Sequence, residues 1–119
     1  MNKAVFNFYE AIATHSSCKF KLKNAIASKV CNCDIAKVVS PHKCELGVWL
    51  DSLKSNLYKY PIFKEVYDLH VLLHIETAHI MKLILDGKTD EASEAIASGG
   101  KFASISFSFT RAMMKLESS

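Results

Sequence analysis

Apolar side chains recur along this chain in alternating steps of three and four, the spacing of one face of an α-helix. Val5, Phe8, Ile12, His15, Leu22 and Ile26 form one such stripe, which predicts a helix from about Lys3 to Ser28 with His15 pointing inward. Asn32 to Ser40 reads as a connection with a short helical turn over Ile35–Val39. Ser40-Pro41 has the form of an N-cap followed by proline at the first helical position, and Glu45 suits the helix dipole. A second, short helix is therefore expected over Pro41–Ser55, with Cys44, Leu46, Trp49, Leu50 and Leu53 inward. Pro61 opens a third helix that ends near Asp86-Gly87, where glycine suits the residue after the C-cap. Its stripe is Phe63, Val66, His70, Leu73 with His74, Thr77, Met81 and Ile84.

The C-terminal stretch is less regular. Asp90 and Glu91 suit the first turn of a helix that starts after Thr89 and carries Ala92 and Ile96, and Phe102, Ile105, Phe109, Ala112 and Leu116 keep helical spacing. Gly99-Gly100 is a place for a kink, and Ser104 to Phe109 alternates like a strand. A single strand has no partner here, so the spacing predicts a fourth helix. With short connections, the pattern gives an all-α fold. It is an antiparallel four-helix bundle with a short additional helix carrying the cysteine, in a single domain over 1–119.

Composition narrows the function. The chain has 119 residues, half of them apolar, enough for one domain with its own core. The net charge of +3 sits largely in Lys19, Lys21, Lys23 and Lys29, and Arg111 is the single arginine. No dense basic run interleaved with aromatics appears, so nucleic acid is not expected as a partner. No apolar stretch approaches the length that crosses a bilayer and no signal peptide is apparent, which points to a cytoplasmic chain without membrane insertion. In such a chain, four cysteines read as thiols or metal ligands rather than as disulfides.

Cysteine and histidine form the chemically unusual set. His70 and His74 are four apart, which stacks two imidazoles on one helical face within reach of one metal. His15 and Cys44 lie on inward faces of other elements. Three imidazoles and one thiolate make a closed tetrahedral set for zinc. Closure leaves no position for a metal-bound water, and no glutamate stands between the two histidines, so an enzyme is not expected. An alternative site combines Cys31, Cys33, His42 and Cys44 in the loop region. It would leave His15, His70 and His74 buried without a metal. Cys18 reads as a small hydrophobe, and His79 falls off the His70/His74 face toward solvent.

Cys44-Glu45-Leu46-Gly47-Val48-Trp49 resembles the Cys-x-Leu-Gly-x-Trp signature of the chemoreceptor zinc-binding domain. His15 lies about as far before the cysteine as that family's first histidine, and Pro61-Ile62-Phe63 resembles its Pro-x-Phe opening of the helix with the histidine pair. The resemblance runs from about Phe6 to Met114. It departs at Cys18-Lys19, where the family usually has Trp-Lys, and at Val48, where lysine is common. Neither departure removes a ligand.

The resemblance implies a zinc-binding regulatory module of bacterial signalling type that senses zinc, or oxidants such as hypochlorous acid through the zinc-bound cysteine. It implies a symmetric homodimer and an output partner of chemoreceptor or diguanylate cyclase type. The chain then reads as either a free-standing member or an excised domain. Two other readings compete. One is a purely structural zinc-stabilised dimerisation adaptor. The other is a di-iron carrier of hemerythrin type, which the absence of a His-x-x-x-Glu spacing disfavours. Phe107 and Met113 or Met114 fall off the main stripe, which also points to an apolar interface.

Overall fold

The computed structural model describes residues 8–29, 40, 44–97 and 99–118, with the side chains of all these except 8, 9, 14–19 and 45. The regular structure is helical: α1 (Phe8–Ser28), α2 (Glu45–Leu57), α3 (Pro61–Leu85), α4 (Thr89–Ile96) and α5 (Lys101–Ser118). No strand occurs among the described residues. The expected start of the first helix at Lys3 and the turn over Ile35–Val39 lie outside them.

α3 is the central element. It packs against α1, α2, α4 and most extensively α5, while α1 also packs on α4 and α5. That central place explains why α3 buries more than one stripe. Phe63, Val66, His70, Leu73, Thr77 and Ile84 are buried as the spacing predicts, and Tyr67, Glu76, Ala78 and Ile80 join them. Met81, expected in the core, is only half-buried. Leu22 of α1, Leu46 and Leu50 of α2, Ala92 and Ile96 of α4, and Phe102, Phe109, Ala112, Met113 and Leu116 of α5 complete the core.

The ends of α3 follow from two residues. Pro61 stands in the first turn after an extended Tyr60, where its missing N–H leaves no helical bond unmade. At the other end Gly87 adopts φ +79°, a left-handed conformation that costs glycine nothing. Gly87 N–H then donates to Ile84 O (3.1 Å) and Lys88 N–H to Leu83 O (2.8 Å), which closes the last turn in a Schellman motif.

Two expectations need correction. The fourth helix is not continuous: it divides into α4 and α5 around Gly99-Gly100. Ala97 is extended (ψ 157°), and Gly100 N–H donates to Ala97 O at 2.8 Å. A Cβ on Gly100 would lie 2.7 Å from Ala95 O and 2.9 Å from Glu94 O. The carbonyls ending α4 thus pack directly on the Gly100 backbone, and only glycine leaves that room. Beyond the break, Ser104 to Phe109 lies inside α5 and is helical. Met113 is fully buried rather than off the stripe, while Phe107 and Met114 are exposed.

The second correction concerns α2, which begins at Glu45 and not at Pro41. Cys44 is its N-cap, with extended backbone (φ −81°, ψ 159°). Cys44 O accepts the Val48 N–H at 3.0 Å, the first bond of the helix. Ser40-Pro41 therefore does not open α2, and Pro41 lies outside the described residues.

Among the described residues, no buried side-chain nitrogen or oxygen lacks a hydrogen-bond partner. Thr77 Oγ1 donates to Leu73 O (2.7 Å), and the buried Glu76 carboxylate pairs with Lys101 Nζ (3.4 Å) across α3 and α5. No helix of the described residues is long and apolar enough to cross a membrane.

Candidate metal centre

Helical geometry puts His70 and His74 one turn apart on the same face of α3, and the rings meet. Their centroids are 4.5 Å apart at an interplanar angle of 80°, and the two Nε2 atoms are 3.0 Å apart. His70 is buried, with Phe109 of α5 tilted against it at 6.0 Å between centroids. His74 is half-buried.

Cys44 reaches the pair from the start of α2. Its Sγ is 3.2 Å from His70 Nε2 and 3.5 Å from His74 Nε2. Gly47 N–H also donates to Sγ at 3.3 Å, the bond of an N-cap side chain to the third residue of its helix. A backbone N–H and the positive end of the α2 dipole both face the sulfur, an arrangement that stabilises negative charge there. Cys44 is not in a disulfide.

Three ligand atoms that all face one another are difficult to satisfy with protons. An imidazole nitrogen carries either a proton or an in-plane lone pair, never both. A closed triangle of hydrogen bonds needs each corner to donate and accept, so two imidazole corners leave at least one edge unbonded. A cation at the centre satisfies all three atoms at once. In tetrahedral zinc sites, bond lengths put ligand atoms roughly 3.3 to 3.6 Å apart. The observed 3.0, 3.2 and 3.5 Å are close to that range, and slightly contracted. Thiolate with two imidazoles is the donor chemistry that zinc accepts. The three residues therefore fit a metal ion, and all their ligand atoms lie within 4.8 Å of one another.

Of the four expected ligands, the structure brings together Cys44, His70 and His74. His15 belongs to α1, which packs against α3, but its side chain lies outside the described part. The side chain of Cys18 does too, and Cys31, Cys33 and His42 lie outside the described residues altogether. His79 is exposed. Among the described residues, no second group of histidine, cysteine and carboxylate side chains converges in this way.

The sequence also holds a polar feature next to the site that spacing did not reveal. Tyr67 O–H donates to Asp51 Oδ1 at 2.7 Å, joining α3 to α2. Burial, then the bond to Asp51, pushes the Tyr67 hydroxyl up to about 12. Tyr58 O–H donates to Asp68 Oδ1 (2.9 Å), and Lys64 Nζ bonds Asp68 Oδ2 (2.8 Å). Burial alone would raise Asp68, but the Lys64 ammonium and the Tyr58 hydroxyl outweigh it and hold the carboxyl below its usual range. Lys54 Nζ lies over the Tyr67 ring at 4.7 Å and the Tyr58 ring at 5.2 Å, and those rings meet edge-to-face at 5.5 Å.

Comparison with protein-family models, with curated proteins and with solved structures gives no match to this chain.

Proposed function

We propose that this chain is a zinc-binding regulatory module of the chemoreceptor zinc-binding type, with zinc held by Cys44, His70 and His74 and with His15 as fourth ligand. The convergence of the Cys44 sulfur and two imidazole nitrogens at mutual distances of 3.0 to 3.5 Å carries this reading. An antiparallel four-helix bundle, with α2 as its short additional helix, accommodates α3 packing on α1, α4 and α5. The sequence signature around Cys44 and Pro61 supplies the likeness to a signalling family, and with it a homodimer and a chemoreceptor-type or cyclase-type output partner.

Bound zinc would supply the positive charge that keeps the Cys44 sulfur anionic. Cys44 and His74 are half-buried rather than sealed, which favours an exchangeable, readable site over a permanent structural one. Cys44 is the residue open to oxidation. A thiolate and hypochlorous acid give a sulfenic acid and chloride: sulfur loses two electrons and chlorine gains them. Cys44 thereby loses its charge as a ligand, and the cap bond from Gly47 is weakened with it. The tie between Cys44 and the two histidines is then weakened, which frees α2 to shift relative to α3.

Elemental analysis of purified protein tests the reading. About one zinc per chain is expected, with strong loss in His70→Ala and in His74→Ala. Wild-type zinc content in both variants sinks the assignment. Retention of zinc in the double variant Cys31→Ala, Cys33→Ala is expected, and its loss would move the metal to the loop site.

A further inference from the structure

α2 and α3 run antiparallel through a short turn at Tyr58–Tyr60, and they meet in two rungs. In the first rung, Cys44 Sγ lies 3.5 Å from His74 Nε2. In the second, Asp51 Oδ1 accepts the Tyr67 hydroxyl at 2.7 Å. Asp51 follows Cys44 by seven residues, and Tyr67 precedes His74 by seven. Seven residues are two turns, roughly 10 Å, so both rungs lie on the same facing sides of the two helices.

α2 has its main packing on α3 alone. The place of Cys44 relative to the histidines therefore depends on how α2 sits along α3. Leu46 and Leu50 hold α2 against α3 by apolar burial, which carries no directional bond. A hydroxyl bonded to a carboxylate at 2.7 Å does not tolerate sliding. A slide of one residue moves the sulfur by about 1.5 Å, which is enough to break a metal–ligand bond.

We propose that Tyr67 and Asp51 are positioning residues for the metal centre: their hydrogen bond fixes the register of α2 on α3 and so places the Cys44 sulfur against His70 and His74. Lys54, over the face of Tyr67 at 4.7 Å, holds the ring from the α2 side. Phe63 flanks it from α3 at 6.2 Å between centroids. Neither Tyr67 nor Asp51 touches the metal position. The inference rests on the metal-binding reading for its consequence, but not for its geometry.

The test uses the full chain, zinc and cobalt(II), and three readouts. Tyr67→Phe and Asp51→Ala should each weaken zinc about tenfold in competition with a chromophoric chelator, the lower end of what outer-shell partners contribute. The double variant should be no worse than either single one. Asp51→Asn keeps an oxygen that accepts the hydroxyl and should restore near wild-type affinity. The thiolate-to-cobalt absorption should fall in Tyr67→Phe and in Asp51→Ala and be kept in Asp51→Asn. A merely structural tyrosine would lower the melting temperature of the metal-free protein and leave both metal readouts unchanged, which overturns the proposal. The third readout needs no metal: nuclear Overhauser contacts between the Cys44 β-protons and the His74 Hε1 proton. They should be present in the metal-free wild type and weaken in Tyr67→Phe. Contacts that depend on Tyr67 in a wild type that binds no metal would refute the metal reading and leave the register inference standing. Contacts and affinity both unchanged in Tyr67→Phe would refute the inference and leave the metal reading standing.

Discussion

A single sulfur does two jobs at the start of α2. Cys44 caps the helix through Gly47 N–H and also faces the two imidazoles. Serine separates these jobs, because it caps helices at least as well but is a poor zinc ligand. Cys44→Ser should therefore keep the stability of the metal-free protein within about 0.5 kcal/mol in urea unfolding with a chelator present. Zinc affinity should fall by well over tenfold in a chelator competition. Unchanged zinc affinity in Cys44→Ser would mean that Cys44 is only a cap. Tyr67 gives a second prediction at this scale. Its hydroxyl is raised to about 12, so the folded protein keeps a proton that the unfolded chain releases near 10. That contribution is fully present below about pH 10 and is lost as pH rises through about 12. Tyrosinate absorbance should show a component with a midpoint near 12 that is missing in Tyr67→Phe. The histidine pair was legible in the sequence because four residues of helix fix its geometry locally. The role of Cys44 as a cap was not, since Ser40-Pro41 is the stronger local signal and the competing bond to Gly47 depends on sulfur rather than oxygen. The Asp51–Tyr67 bond crosses between helices, and no local spacing encodes it.

Helix existence was readable along the described chain, and helix boundaries were readable where one residue type decides them. Pro61 and Gly87 decide the ends of α3 in this way. The break between α4 and α5 is subtler: Ile96 to Phe102 is a step of six, outside the three-four spacing, and Gly99-Gly100 suggests a kink without saying how far the helix divides. What divides the helix is a close approach that periodicity does not register. Gly100→Ala would push a methyl against Ala95 O at 2.7 Å and Glu94 O at 2.9 Å, both backbone atoms. We expect it to cost about 1 to 3 kcal/mol in urea unfolding, as forced overpacking does. Gly99→Ala is the control, since nothing lies within 4 Å of its added Cβ. Equal stability of the two variants would show that the turn relaxes freely. The breadth of the buried face of α3 was also hidden. Tyr67, Glu76, Ala78 and Ile80 are covered because helices pack around α3 on several sides, and one stripe cannot announce that.

At the scale of the whole molecule, apolar side chains remain on the outside. Phe107 and Met114 stand out from α5, and Leu72 and Ile75 from α3. The proposed homodimer would use such a surface. Light scattering at micromolar concentration should report twice the chain mass, and Phe107→Ser with Met114→Ser should reduce it. A wild type that is monomeric throughout rejects the dimer. Metal loss is the other event at this scale, and the packing says where it acts. A metal that binds only the folded state adds about 2.7 kcal/mol of stability at a hundredfold excess over its dissociation constant. That energy is not spread evenly. α3, α5, α1 and α4 pack on one another, whereas α2 has its main packing on α3 alone. Chelation removes the tie between Cys44 and the histidines, and α2 is the helix left with least to hold it. Hydrogen exchange should therefore speed up by tenfold or more at α2 amides such as Leu50 and Leu53 when zinc is chelated. Amides of α3 and α5 around Ile80 and Ala112 should change far less. A local opening of this kind is what the proposed output partner would read. Exchange that rises equally in all five helices would instead make zinc a global stabiliser, and the sensing mechanism would lose its moving part.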